Sequence, residues 1–147
     1  MRMGRFGLAL IFIAGLAGSA AEAQQGNTIT VPVIGLRNNN GNVRCGLFNS
    51  AATFPKDGQQ FQGAIGQITN QQATCTFSNV PPGTYAVAVF HAERGQDKMD
   101  TGFMGMPRDG YGFSRGAKIG MGPPSFGDAA YSYAGGNATF PITITYP

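Results

Sequence analysis

The sequence predicts an all-β fold, a single β-sandwich of about seven strands with one long glycine-rich loop packed on a sheet. Three observations carry that expectation. Short segments alternate apolar and polar residues at period 2 between clusters of Gly, Pro and Asn, as in Val43-Arg44-Cys45-Gly46-Leu47 and Phe140-Pro141-Ile142-Thr143-Ile144, and this is the signature of half-buried strands. No segment beyond the N-terminal run sustains a helical period. The only two cysteines, Cys45 and Cys75, each sit in such an alternating segment on the side of its apolar neighbours, so both are expected to face a core and to pair there.

The N-terminus comes first in the chain and bounds the compartment. Arg2 and Arg5 form a basic start, Phe6 to Gly18 an apolar stretch, and Ala21-Glu22-Ala23 a small-x-small cleavage site. That is the pattern of a signal peptide over residues 1–23, and the apolar run is short for a membrane span, which takes about 20 residues. No cysteine stands near the cut to accept a lipid. The mature domain, residues 24–147, is therefore expected in the periplasm or outside the cell with no membrane span. An oxidising compartment is also where a Cys45–Cys75 disulfide would persist.

Composition excludes one class of partner. Charged residues are 12% of the chain, and without Arg2, Arg5 and Glu22 the mature region carries eight basic and six acidic side chains. They are scattered, with no Lys/Arg cluster interleaved with aromatics, so no nucleic-acid surface is expected.

Along the mature region the first strand is expected from Thr28 to Ile34, with Ile29, Val31 and Val33 on one face and Pro32 marking an edge or bulge. Asn38-Asn39-Asn40-Gly41 supplies a turn. The second strand, Asn42 to Phe48, carries Cys45; Ser50 to Gln60 is an irregular connection; a weak strand at Gly63 to Ile68 precedes the Cys75 strand. Tyr85 to Phe90 is apolar on both faces, so it must be central and its second face needs a cover. Two late strands, Ala129 to Tyr133 and Ala138 to Tyr146, close the domain, with Pro141 again suggesting an edge.

The candidate cover is residues 91–128. Loops beyond about 12–15 residues are usually functional, self-packed or disordered, and Met99, Phe103, Met104, Met106, Tyr111, Phe113, Met121 and Phe126 give this one too much apolar surface for a solvated linker. It is expected to fold down as an apolar lid, its methionines filling gaps.

Several motifs resemble those of the DUF2141 family of exported bacterial proteins. They are Gly35-Leu36-Arg37, Pro82-Gly83-Thr84-Tyr85-Ala86-Val87-Ala88-Val89-Phe90-His91, Lys98-Met99-Asp100, Gly105-Met106-Pro107, Gly110-Tyr111-Gly112-Phe113-Ser114 and Gly122-Pro123-Pro124-Ser125-Phe126. The resemblance implies a transthyretin-like or immunoglobulin-like sandwich, related to carboxypeptidase regulatory-type domains, and no established activity. It also implies a loop similar to His-Asp-x-Asn-x-Asn-Gly-x-x-Asp, whose alternate oxygens suit calcium. This chain departs from that pattern with Ala92, Arg94 and Gln96, and Phe103 stands where an EF-hand places its bidentate Glu. The expectation is that Arg94 replaces a metal by pairing with Asp100 or Asp97, and that no cofactor is held.

Three functional readings follow. The first is a non-enzymatic structural or binding module engaging a protein or a cell-envelope glycan, with Tyr111 and Phe113 as contacts beside His91, Arg94 and Asp100. The second is a small hydrolase using His91, the single histidine, with Asp100 or Asp109 and a serine such as Ser114 or Ser125, although no Gly-x-Ser-x-Gly motif supports it. The third is a metal site, either calcium in the loop or Cu(I) held by methionines together with His91.

Overall fold

Period-2 alternation becomes two packed sheets. The computed structural model describes residues 26–147, and the expected signal peptide at 1–23 lies outside the described residues. Nine strands are present among the described residues: β1 (Asn27–Ile34), β2 (Asn42–Phe48), β3 (Gln62–Gln67), β4 (Ala73–Phe77), β5 (Gly83–Ala92), β6 (Tyr111–Phe113), β7 (Tyr131–Tyr133), β8 (Gly136–Thr139) and β9 (Ile142–Thr143), with one short α-helix, α1 (Phe126–Ala129), and two single 3-10 turns in the long loop. One sheet has the order β4-β1-β8, with β9 continuing along β1; the other runs β3-β2-β5-β6, with β7 antiparallel to the first three residues of β5. The fold is the all-β sandwich the sequence predicts, with more and shorter strands.

The sheets join along both sides. Thr69 and Gln72 close the β3–β4 hairpin, which carries the chain from one sheet to the other. Opposite, the C-terminal segment leaves β1 and bridges to β6, Tyr111 N donating to Thr145 O at 2.9 Å and Thr145 N to Tyr111 O at 2.8 Å. Gly112 lies at this seam, where a Cβ would stand 2.9 Å from the Thr143 carbonyl oxygen. A glycine is what lets the two backbones come so close.

The core sits between the sheets. Ile29, Val31 and Val33 of β1 meet Val43, Cys45 and Leu47 of β2, Val87 and Val89 of β5, and Phe140, Ile142 and Ile144 of the last segment, all buried. Cys45 and Cys75 are joined across this core, β2 to β4, with Cα atoms 6.5 Å apart. The disulfide thus ties sheet to sheet.

Four expectations need correction. Pro32 is not on an edge, because β1 lies between β4 and β8/β9. The carbonyls of Thr30 and Ile34 accept from Phe140 N and Ile144 N, so Pro32, of the same parity, turns its missing donor to the same side, where the partner strand breaks at Phe140-Pro141. The late strand is accordingly split into β8 and β9. Ala129 ends α1, which Ser125 caps by accepting from Asp128 N, so β7 starts only at Tyr131. The three-residue β6 inside the long loop has too few residues to show a period.

The fourth correction concerns the lid. Its later part packs as expected: Phe54 makes edge-on contacts with Phe48, Phe113 and Phe126 at centroid distances of 5.4, 6.0 and 5.9 Å, forming with Ala86 and Ala129 a second small core on the outer face of β5. The rest stands off. Phe103 is 85% exposed, Met104 83% and Met121 fully exposed, so two arms, residues 99–107 and 117–123, flank the sheet instead of sealing it.

Candidate functional site

The residues that a hydrolase would use are separated. His91 is fully buried on the inner side of β5, with Nε2 2.8 Å from Asn40 O and Nδ1 2.8 Å from Tyr146 Oη. A carbonyl only accepts, so Nε2 donates to Asn40 O, and Nδ1 pairs with the Tyr146 hydroxyl. Tyr146 Oη in turn accepts from Arg37 N at 3.0 Å, and burial pushes its phenol pKa up, which keeps the donor proton in place. His91 is a pin between the Asn38–Gly41 turn and the C-terminus. Its fully buried ring presents no surface to a ligand, so the contact role expected of His91 is not open to it.

Each proposed partner has its own local task. Asp109, buried, accepts from Asp100 N at 2.7 Å and Gln96 Nε2 at 3.2 Å. Ser114 Oγ accepts from Val87 N at 2.8 Å and donates to Ala129 O, anchoring the packed half of the loop to β5. Ser125 caps α1.

Arg94 and Asp100 come together as the loop sequence suggests. Arg94 Nη1 and Nη2 donate to the two carboxylate oxygens of Asp100 at 2.7 and 3.2 Å, and that guanidinium holds the Asp100 carboxyl below its usual range. Asp97 is not the partner. A second pair was not foreseen: Glu93 accepts from Asn38 Nδ2 at 2.9 Å and Arg37 Nη2 at 2.6 Å, and these two bonds lower its pKa. Arg37 also lies 4.7 Å over the Tyr146 ring. Among the described residues no three His, Cys, Asp or Glu side chains gather as a metal cage. The methionines and His91 lie on opposite sides of β5, so the mixed Cu(I) set is not assembled.

What the fold does assemble is a groove on the outer face of the second sheet. Register places Gly63, Gly46, Ala88 and Phe113 side by side on β3, β2, β5 and β6, and Ile65, Arg44, Phe90 and Tyr111 in the adjacent outward row. The first row is nearly bare. Above it the two arms and the Pro55–Gln60 connection enclose about 550 Å³, within the roughly 300–1,000 Å³ of ligand sites. All four methionines of residues 26–147, Met99, Met104, Met106 and Met121, line this space with Ile119. Tyr111 and Phe113 are half-buried in its wall, 5.9 Å apart by centroid.

A scan of protein-family models matches residues 31–140 to the family described as an uncharacterized protein conserved in bacteria. The chain belongs to the DUF2141 family. No curated protein and no solved structure matches this DUF2141 chain. Within the matched span lie both rows of the groove and both arms. Of the site residues expected in this DUF2141 domain, Tyr111 and Phe113 line the groove, whereas Arg94 and Asp100 brace the loop beside it. Arg44 and the bare row were missed. Their signal was the parity of Arg44 and Gly46 on β2, Gly63 on β3 and Ala88 on β5, and it becomes readable only once the strand register is known.

Proposed function

We propose that this DUF2141 domain is an exported, disulfide-bonded binding module that holds an apolar ligand in the outer-face groove. The bare floor of Gly63, Gly46 and Ala88, beneath a rim that carries Met99 and Met106 with the exposed Met104 and Met121, carries this reading. Unbranched thioether side chains adapt to irregular ligand shapes, and small floor residues leave the ligand room. Tyr111 and Phe113 keep the contact role expected of them, now as wall residues. The wall favours an apolar ligand over the envelope glycan expected from sequence, since its aromatic surface is accompanied mainly by aliphatic and thioether groups. Export is supported by the Cys45–Cys75 bridge; no helix among the described residues is long and apolar enough to cross a membrane.

The neutral fluorophore N-phenyl-1-naphthylamine tests the groove. It should brighten on binding the wild-type domain, and Gly63→Leu should abolish the effect while leaving the fold intact, because a Cβ there meets nothing nearer than the flexible Gln60 amide at 3.4 Å. Absence of brightening with wild type, or full retention in a folded Gly63→Leu variant, would refute the proposal.

A further inference from the structure

Resting on that groove, we infer that its ligand is a single-chain anionic amphiphile, the alkyl chain lying along Gly63, Gly46 and Ala88 and the anionic head received by Arg44. Two observations carry this, one for the chain and one for the head.

The floor decides the chain. It is the face of a continuous sheet, and β2 is paired on both sides, with β3 and with β5. Its backbone N–H and C=O groups are spent in the ladders, so an occupant lying on the face finds few free backbone partners. A peptide would bring amides that lose water without gaining bonds. An alkyl chain brings none, and the methionine and Ile119 side chains of the arms offer it contact from the other side.

Arg44 decides the head. It stands in the outward row between Ile65 and Phe90 and lines the groove. Its Nε is buried without a hydrogen-bond partner, and its Nη2 reaches only Gly95 O at a long 3.4 Å. Among the described residues the ion pairs are Arg37–Glu93 and Arg94–Asp100, so Arg44 has no carboxylate of its own. A guanidinium presents a planar fork of donors matched to a carboxylate, sulfate or phosphate. Asp57 and Asp97 also border the groove but are solvent-exposed, where water screens them. A partly desolvated cation in an apolar wall therefore sets the preference.

The experiment titrates the full mature domain by calorimetry, below micelle concentrations, with dodecanoate, dodecyl sulfate and dodecyltrimethylammonium, using N-phenyl-1-naphthylamine displacement to locate binding. Both anions should bind at least about tenfold more tightly than the cation of equal chain length, as one charge-assisted hydrogen bond warrants. Arg44→Met should erase that preference while still taking up the neutral fluorophore. Equal binding of anion and cation by wild type, an unchanged preference in Arg44→Met, or displacement of the fluorophore by apolar peptides and not by dodecanoate would overturn the inference and leave the groove standing. If wild type fails to take up the fluorophore, the groove itself is lost. Matching dodecanoate against a lysophospholipid with a phosphate head then separates a free fatty acid from a membrane lipid as the source of the same chemistry.

Discussion

Gly46 and Ala88 face each other across β2 and β5 on the outer side of the sheet, and neither has a side chain that rises far above it, although the Phe48 ring leans to 3.0 Å from where a Gly46 Cβ would stand. The pair is a gap in a surface otherwise covered by Phe48, Phe90, Phe113 and Ile65. On the inner side the same strands present Cys45, Leu47, Val87 and Val89 to the core. The sheet is packed on one face and partly open on the other.

Ala88→Leu should close that gap. The added side chain projects into the groove, so unfolding free energy should change by no more than about 1 kcal/mol, while uptake of the neutral fluorophore falls at least tenfold. Urea denaturation followed in parallel with fluorescence separates the two effects. A large loss of stability would mean that the position is already filled.

Tyr146→Phe should destabilise the domain by about 1–3 kcal/mol, the cost of leaving a buried polar group without its partner. The ring and its contact with Arg37 survive, so what is lost is the hydroxyl shared by His91 Nδ1 and Arg37 N. The urea midpoint reports it. An unchanged midpoint would show that His91 has another partner.

Glu93 gives the stability an acid-side dependence. Its hydrogen bonds to Asn38 and Arg37 hold its folded pKa below the unfolded value, near 4.3 for Glu. Its contribution is thus complete above about pH 4.3 and is lost as pH falls through the lower folded value. Melting temperature between pH 6 and pH 3, compared for wild type and Glu93→Gln on the scale of those pKa values, should fall more steeply in the wild type. Parallel curves would assign the acid loss to other carboxylates, Asp100 first, since Arg94 lowers its pKa in the same sense.

Reduction of Cys45–Cys75 should cost about 3–4 kcal/mol, the loop-closure entropy for a separation of 30 residues. Urea denaturation with and without dithiothreitol measures it, and Cys45→Ala with Cys75→Ala should reproduce the reduced protein. A difference below about 1 kcal/mol would make the bridge incidental to folding.

Which elements were legible in the sequence follows from how far apart their causes lie. The β2 and β4 alternation put Cys45 and Cys75 on core faces, and they meet there, because side-chain parity is a local property of extended chain. Arg94 and Asp100 were legible for the same reason, being six residues apart in one loop. The place of Pro32 was not, because whether a missing donor matters depends on what the neighbouring strand does, and that strand lies more than a hundred residues on. Nor could His91 be assigned, since both its partners, Asn40 and Tyr146, are over fifty residues away.

By itself, then, the sequence determined two-faced strands, the sulfur pair and an apolar loop too rich to be left in water, all consequences of local periodicity and composition. Tertiary structure decided where that loop rests: Phe113 and Phe126 close against Phe54, while Phe103 stands exposed and Met104 and Met121 border the groove without packing on the sheet. The reason is that burial requires a complementary surface. Phe54 supplied one over half of β5, and Gly63, Gly46 and Ala88, brought into line only by strand register, left the other half as a groove.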